Sequence, residues 1–515
     1  MLHALAFAFV AVLAYQVTLR VAFPWDFWIW SESPFMTNML KLSNGESTFD
    51  APRDANSWVY SPGLEYLCFA LLRPLGLQLD IRAARIVAVA LGLVAAVFAS
   101  RSAAELLAVL RKPSAADRSF RLFAIAALVL LFFRSFTSDV VHADNLYIAH
   151  ASISLYLCIR AASTGSYRGG LLAVGVSALG PLAKQTGSFG FVGIAVVLCL
   201  LHGSRWSLGR RLGLIALGAG IWAGATGLLM SSANSRFWLF DLLSRHAVVW
   251  SSAVSLLHLC FEYPHRVVLL GLALLAAMRL VASRDRRAGV FLASWAAGLT
   301  AVLPALAGYL KVGGGWNNLT IFDLWIAILA LPVAWGAMAS AFERDASAAN
   351  DAPTREGGVG RATTWAAALA LLVIFLVPLK LPPTRGQYAF GHALDAAVRD
   401  DLAAGRRILL PHGMMPLLRA GHRVVPMDRA GSVLESNMGE HADLPGTKAR
   451  VEEHYYDRIY LFVSDWYGQE IVKAIEQNYH EVLQIPGDAT YPYVDEYLSG
   501  QTGFMHRAVR VMAPN

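Results

Sequence analysis

An acidic residue near the start of the chain stands among three tryptophans, in the segment Trp25-Asp26-Phe27-Trp28-Ile29-Trp30-Ser31-Glu32. Neighbouring indole rings exclude water from a carboxylate, and loss of water raises the pKa of an acid. A raised pKa suits a general base, so Asp26 is our first candidate for a base and Glu32 the second. The same segment also fits an aromatic belt at a membrane surface with incidental acids, because tryptophan favours the headgroup level.

A second group of polar residues comprises Asp139, His142 and Asp144, which precede an apolar run. Carboxylates and imidazoles in this spacing can bind an acceptor or assist a base. Asp144-Asn145 also has the composition of a helix N-cap, and Asp139 fits an ordinary solvated loop. Both interpretations stay open from the residues alone.

Cations that could meet a phosphate stand at two places. Lys184, in Ala183-Lys184-Gln185-Thr186-Gly187, separates two short apolar runs, where a charge is costly unless it snorkels to the surface or meets an anion. Lys311 is followed by Gly313-Gly314-Gly315 and then by Asn317. A glycine-rich loop brings backbone N–H groups close to a phosphate, although a simple flexible turn has the same composition.

The elements that must position these residues are membrane helices. Of the 515 residues, 56% are hydrophobic and 15% are charged, against roughly 25% charged in a soluble domain. This composition excludes a cytosolic globular, disordered or fibrous protein. The sequence therefore predicts a polytopic α-helical membrane protein with about eleven transmembrane helices. The apolar runs are 2–22, 83–100, 120–136, 145–162, 169–184, 187–203, 211–231, 266–282, 288–309, 319–342 and 362–380.

The charges of the loops predict the orientation. A further run, 61–79, is interrupted by Arg73 and Pro74, and we expect it to lie at the membrane surface. One set of loops then carries 17 basic and 7 acidic residues, and the opposite side of 1–380 carries 13 basic and 12 acidic. By the positive-inside rule the first set is cytoplasmic. All the candidate site residues then face outward, with the N-terminus inside and the C-terminal tail outside.

The chain divides into a transmembrane part, 1–380, and an extracytoplasmic soluble α/β domain, 381–515. Strands are predicted near 407–411 and 458–463, and helices near 392–404, 445–456 and 468–479. The basic excess belongs to the apolar part, so it suits anionic membrane lipids and no nucleic-acid partner is expected. His412 and His422 could form a metal pair or be surface histidines. Four widely spaced cysteines match neither a zinc site nor a disulfide framework.

The layout resembles the GT-C glycosyltransferases of the protein-mannosyltransferase and aminoarabinose-transferase type. The resemblance covers most of 1–380 and is carried by short motifs. They are Trp25-Asp26 with Glu32, Tyr60-Ser61-Pro62-Gly63-Leu64-Glu65-Tyr66, Arg82-Ala83-Ala84-Arg85-Ile86, Ala143-Asp144-Asn145-Leu146 and Leu182-Ala183-Lys184-Gln185. The chain departs from the family pattern at Lys184-Gln185-Thr186-Gly187 and at Pro62-Gly63, where relatives have Lys-Gly-Pro and a double proline.

The resemblance implies an integral membrane enzyme of the inner (plasma) membrane with an outward site. It would transfer a sugar from a polyprenyl-phosphate donor to a glycan, lipid or protein acceptor, with inversion. Asp26 would be the base, Asp144 a second acid, and Lys184 the phosphate contact. Lys311 and Arg85 would be further phosphate contacts, and Tyr60, Asp139, His142 and Asn317 would bind substrate. No cofactor is required by this scheme, and a divalent metal ion stays open.

Two other classes fit parts of the sequence. A lipid-linked oligosaccharide ligase or polymerase would share the donor type but use external arginine and histidine clusters, and 232–266 contains Arg236, Arg245, His246, His265 and Arg266. A transporter would also have many spans and intramembrane charges. Transporters commonly place them in two related halves, and the sequence shows no such repeat.

Overall fold

The computed structural model describes most of the chain and shows a mostly helical protein with one small sheet. The described residues are 2–111, 117–134, 138–282, 287–311, 316–348, 381–429, 432–433, 446–462, 467–488 and 508–515. The predicted span 362–380 and the glycine run 313–315 lie outside them.

The described residues up to 348 are mostly helical, with longer connections at 45–62 and 237–251. The bounds of the helices are α1 Leu2–Ala22, α2 Glu32–Asn44, α3 Gly63–Leu72, α4 Ile81–Leu110, α5 Asp117–Arg134, α6 Ala143–Thr164, α7 Tyr167–Ser177, α8 Gly180–Ala183, α9 Gly190–Leu201, α10 Leu208–Leu229, α11 Ala233–Arg236, α12 Ser252–Glu262, α13 Pro264–Ala282, α14 Arg287–Tyr309 and α15 Thr320–Ala348.

Six helices of the described residues are long and apolar enough to cross a membrane: α4, α6, α10, α13, α14 and α15. The apolar window of α15 is 83% buried and that of α10 only 22%, so α15 lies at the centre of the bundle and α10 at its edge. The total of about eleven spans stays a prediction, because α1, α5 and α9 contribute shorter apolar segments.

Two of the predicted spans form a broken helical hairpin. The runs 169–184 and 187–203 are helical as α7, α8 and α9, with a 3₁₀ turn at Gln185–Phe189. At 1.5 Å per residue α7 and α9 are each about 17–18 Å long, well short of the roughly 30 Å hydrocarbon layer. The hairpin therefore reaches its apex at Lys184, between α8 and the turn.

The segment after residue 61 is a short helix. α3 ends at Leu72, and a 3₁₀ turn follows at Arg73–Leu75. Ten residues rise about 15 Å, roughly half the hydrocarbon thickness, so α3 is too short to cross. Its first residue, Gly63, packs directly on the backbone carbonyl of Leu182, where a Cβ would overlap that oxygen. This contact fixes α3 against the apex of the hairpin.

The tail contains a four-stranded sheet with helices. Its elements are α16 Arg385–Ala403, β1 Ile408–Leu409, α17 Met414–Arg419, α18 Thr447–Glu452, β2 Arg458–Phe462, α19 Gln469–Asn478, β3 Tyr479–Ile485 and β4 Val509–Pro514. The strand order is β1-β2-β4-β3, with β1 parallel to β2 and β4 antiparallel to both neighbours. The sequence analysis located β1 and β2 but missed β3, β4 and α17.

The tail packs against the loop that follows α1. Trp25, Phe27, Phe390, Leu410 and Met414 belong to one buried apolar cluster. The indole N–H of Trp25 donates to the Asp395 carboxylate over 3.0 Å. The first loop is thus enclosed between the membrane helices and the tail.

Candidate functional site

The centre of the candidate site is Asp144, in the first turn of α6. The N-cap of α6 is His142, whose Nδ1 accepts the N–H of Asp144 over 3.1 Å, and not Asp144 itself. The Asn145 side chain accepts the His142 N–H over 2.8 Å and completes the cap. Because the imidazole caps the helix, the Asp144 side chain is left to meet groups from other parts of the chain.

The apex of the hairpin brings Lys184 to Asp144. The Lys184 ammonium forms an ion pair with one oxygen of the carboxylate, and the Asn317 amide donates to the other oxygen over 2.5 Å. His142 Nδ1 lies 3.1 Å from that second oxygen. Asp144 is 2% and Lys184 4% exposed, so this is a buried pair held by residues far apart in sequence. We call Asp144, Lys184, Asn317 and His142 the outer cluster.

Close backbone contact shapes the hairpin around Lys184. Gly180 and Gly187 touch across the turn, and a Cβ on Gly180 would overlap the carbonyl of Gly187. Gln185 Nε2 donates to the Val59 carbonyl over 2.6 Å and ties the turn to the first loop. Sequence analysis did not single out Gln185, although it follows Lys184 directly.

Aromatic rings form one wall of the outer cluster. The Tyr60 ring centroid lies 5.3 Å from Lys184 Nζ and 5.5 Å from the His142 ring. Trp30 and Trp58 stack beside it, with centroids 4.6 Å apart. Tyr60 and Trp30 are only half-buried, so this wall leads from the outer cluster toward the surface. Rings of this kind suit the faces of a sugar or an isoprenoid chain.

Glu32 and Arg85 form a closed buried pair beneath this wall. The Arg85 guanidinium meets both Glu32 oxygens over 2.7 and 2.6 Å. Its other donors reach the backbone carbonyls of Phe23 and Trp25. Both side chains are 0% exposed, so the geometry opposes the expected roles of Arg85 as a phosphate contact and Glu32 as a base.

Asp139 also forms a buried ion pair with an arginine. It pairs with Arg20 at 2.5 Å, and both side chains are fully buried. Nearby, the Val141 N–H donates to Glu32 over 3.3 Å, and its carbonyl accepts the Ser31 hydroxyl over 2.8 Å. These contacts lock the loop before α6 onto the first loop and thereby position His142. Asp139 is placed for positioning His142 and not for the expected contact to substrate.

Asp26 lies outside the outer cluster, at the junction with the tail. Its two oxygens accept the backbone N–H groups of Met414 and Met415 at 2.6 and 3.1 Å, at the start of α17. Burial raises the pKa of Asp26, although those N–H groups and the charge of Arg429 act in the opposite direction. With 2% exposure and backbone partners on both oxygens, Asp26 fastens the tail, and the geometry opposes its expected role as the base.

The buried side chain of Arg429, in the tail, supports this junction. The Arg429 guanidinium donates to the Leu410 carbonyl and to the Ser33 hydroxyl, which also accepts the Gly413 N–H over 3.0 Å. Burial lowers the pKa of Arg429 to about 10, opposed by the charge of Asp26. Sequence analysis missed Arg429, because nothing in its neighbourhood marks it as different from other tail arginines.

Lys311 and Arg266 lie outside the outer cluster. Lys311, after α14, forms a backbone bridge with Val248 and is half-buried. Arg266 pairs with Asp323 at 2.6 and 2.9 Å, and His265 lies 3.8 Å from the same carboxylate. His265 and Arg266 are buried, whereas Arg236 and Arg245 of the same region are exposed.

No metal-binding group of three or more His, Cys, Asp or Glu side chains occurs among the described residues. His412 is buried against Phe462, with ring centroids 5.5 Å apart. Burial and the nearby Arg429 charge lower the pKa of His412 to about 3, so its imidazole is neutral. His422 is half-buried beyond the end of α17. His412 is thus a packed side chain in this structure.

The chain has limited similarity to known proteins. No family model matches the chain, and no curated protein matches it. Structures of an oligosaccharyltransferase from Archaeoglobus fulgidus are similar to the chain at 12–14% identity, as a complex with zinc and sulfate (TM-score 0.41), as a complex with an inhibitory peptide and a dolichol-phosphate (0.35) and in the apo form (0.40). They match 76–77% of this chain. The chain spans only 55–58% of the length of those proteins.

Proposed function

We propose that this protein is an integral membrane glycosyltransferase of the GT-C type. It transfers a sugar from a polyprenyl-phosphate donor to a glycan, lipid or protein acceptor outside the cytoplasm, with inversion. The observation that carries the proposal is the buried Asp144–Lys184 pair at the apex of the hairpin, beside an aromatic wall. It agrees with the motifs that resemble the GT-C transferases.

Lys184 is the contact for the donor phosphate. A buried ammonium needs an anion, because leaving it unpaired costs about 3–5 kcal/mol. In the donor-free protein Asp144 is that anion. An entering phosphate replaces it, and the ammonium then stabilises the charge that grows on the phosphate as the glycosidic bond breaks.

Asp144 is the base in this proposal, in place of Asp26. Its partners are side chains that can rearrange, from Lys184, Asn317 and His142, whereas Asp26 is held by two backbone N–H groups. Inversion requires the acceptor and the leaving phosphate on opposite sides of the anomeric carbon. The ion pair therefore opens when the donor sugar enters between the two residues.

The chemical step is a single displacement. The acceptor hydroxyl oxygen attacks the anomeric carbon, and its proton passes to the Asp144 carboxylate. The bond between the anomeric carbon and the phosphate oxygen breaks, and the electron pair leaves with polyprenyl phosphate. Asn317 keeps the carboxylate oriented, His142 caps α6, and Tyr60 lies against the donor.

The test is turnover of defined donors by the full chain in proteoliposomes. We expect polyprenyl-phosphate sugars to be consumed, with release of polyprenyl monophosphate and an inverted anomeric configuration in the product by NMR. Polyprenyl-pyrophosphate oligosaccharides and nucleotide sugars serve as the two comparison donors. Consumption of the pyrophosphate donor alone would replace this proposal by a ligase or polymerase.

A further inference from the structure

A cleft of about 380 Å³ opens between α4, α5 and α6, far from the outer cluster. Three arginines line it, one from each helix: Arg101, Arg121 and Arg160. Arg160 follows Asp144 in α6 by roughly four and a half turns, which places it about 24 Å away along the helix axis. On the predicted topology this is the cytoplasmic end of the bundle.

Among the residues that line the cleft, basic side chains outnumber acidic ones. Within the described part of the chain, none of the three guanidinium groups forms an ion pair. Arg160 donates to the Tyr156 hydroxyl over 2.7 Å, and Arg101 lies 5.5 Å from the Phe98 ring centroid. Glu105 is the one carboxylate among the lining residues. The cleft therefore has a net positive charge.

This arrangement suits a phosphate group. The arginine fork matches phosphate oxygens in geometry, and an anion relieves the repulsion of like charges gathered in one place. Basic pockets between transmembrane helices on the cytoplasmic side are a recurrent way to hold lipid headgroups. Leu122, which follows Arg121 in α5, is 61% exposed, so the same helix also presents an apolar side chain at the surface.

We propose that the cleft binds a phosphate group, presented by the headgroup of an anionic phospholipid in the cytoplasmic leaflet. Arg101, Arg121 and Arg160 hold the phosphate oxygens, and the acyl chains lie on the apolar surface around Leu122. The site is separate from the outer cluster and does not depend on the proposed transferase activity.

The experiment titrates the purified full chain with phosphatidylglycerol in detergent and follows bound lipid by native mass spectrometry. The variant combines Arg101→Gln, Arg121→Gln and Arg160→Gln. A matched control combines Arg168→Gln, Arg205→Gln and Arg279→Gln, which removes the same charge from exposed arginines outside the cleft. We expect the cleft variant to bind at least about tenfold more weakly, and the control to bind within about twofold of the unmodified protein.

Glu105→Gln gives a second test that does not remove any arginine. It should tighten lipid binding, because it takes away the carboxylate that opposes the arginines. Equal weakening in the cleft variant and its control, or no tightening in Glu105→Gln, would overturn the proposal.

Competition identifies the source of the phosphate. Inorganic phosphate and phosphatidylcholine are added to the protein bound to phosphatidylglycerol. We expect neither to displace the lipid at equal concentration, because neither combines a net negative headgroup with acyl chains. Displacement by inorganic phosphate at that concentration would show that a soluble phosphate is the ligand and would contradict a lipid source.

Discussion

Asp26 and Asp144 are both nearly excluded from solvent, at 2% exposure each, and differ in what surrounds them. Asp26 is bound by backbone N–H groups of the tail, which cannot leave without undocking α17. Asp144 is bound by side chains of the outer cluster, which can exchange it for a ligand. Burial alone therefore does not identify a candidate base. The type of hydrogen-bond partner distinguishes a carboxylate that supports the fold from one that could take part in catalysis.

A matched pair of substitutions tests this division. Asp26→Asn should lower the free energy of unfolding by about 1–3 kcal/mol, because two N–H groups lose a charged acceptor and Arg429 loses its anion. Turnover per folded molecule should stay within a few-fold. Asp144→Asn should reduce turnover by about 10²–10⁴-fold. Thermal unfolding and turnover normalised to folded protein measure both effects.

The opposite pattern would restore Asp26 as the base. It would consist of a large loss of turnover in Asp26→Asn at an unchanged melting temperature, together with an active Asp144→Asn variant.

At the level of single residues, motif reasoning found Lys184 and Asp144 but not the contact between them. They are 40 positions apart, and their meeting depends on the hairpin geometry. The contacts of Asp26 could not be predicted, because its partners lie 388 and 389 positions away, in a helix that the sequence did not reveal. Residues whose side chains could take part in chemistry could thus be identified from their neighbours in sequence, whereas the residues that contact them could not.

Among the elements, the broken hairpin α7–α9 is the one that determines the site. Its apex lies at the level of the α6 N-terminus because Lys184 meets Asp144 there. Gly180 permits the close approach of its two arms, and Gly63 permits the approach of α3. Pro62-Gly63 and Lys184-Gln185-Thr186-Gly187, where the chain differs from the motifs that it resembles, include one glycine of each contact. Glycine at both places supplies the room that the neighbouring backbone occupies.

Gly180→Ala tests the hairpin. The added Cβ would overlap the Gly187 carbonyl, so the turn must move and Lys184 moves with it. We expect weaker binding of polyprenyl phosphate and a lower melting temperature. Gly209→Ala is the control, since a Cβ there meets no atom within 4 Å and alanine favours a helix by up to about 1 kcal/mol. Unchanged binding and stability in Gly180→Ala would show that the close approach is not required.

The lengths of the apolar runs predicted the six helices that are long and apolar enough to cross a membrane. In the polar segments of the tail, the sequence did not predict every helix and strand. In β3 only the two end residues, Tyr479 and Ile485, are buried, so the strand lacks the alternation that identifies one. α17 has six residues and begins at Met414, too short for a helical period to be visible. Tertiary contacts, and not local pattern, stabilise both.

Among the described residues, the membrane bundle and the tail share two buried apolar clusters, one around Trp25 and Met414 and one around Trp238 and Ile459. The tail encloses the first loop, and the first loop holds the segment that carries His142 and Asp144. This gives the tail a supporting role through Asp26 and Arg429. The division near residue 381 stays a prediction from hydropathy. The sequence could not predict the docking, because the contacting surfaces are apolar clusters without a recognisable motif.

Topology is the prediction that belongs to this scale. Reporter fusions after Asp345 and after Asp400 should be cytoplasmic and extracytoplasmic respectively, because 17 of the basic loop residues lie on one side of the membrane. A phosphatase reporter and a fluorescent-protein reporter at each position check whether that position is cytoplasmic or extracytoplasmic. The reverse result would place the outer cluster inside the cell and remove the basis for an extracytoplasmic acceptor.

The most direct measurement of the central claim is the affinity of Lys184→Met for polyprenyl phosphate, together with its turnover. Methionine keeps the apolar stem, so a lysine that only snorkels could be lost at little cost. Lys473→Met, at an exposed lysine of the tail, is the control, and Lys184→Arg keeps the charge if the methionine variant folds poorly. Loss of a charge-assisted contact of about 1.5–3 kcal/mol weakens binding by roughly tenfold to a hundredfold. We predict that loss, with slower turnover, in Lys184→Met and partial activity in Lys184→Arg; wild-type affinity and turnover in Lys184→Met would contradict the account.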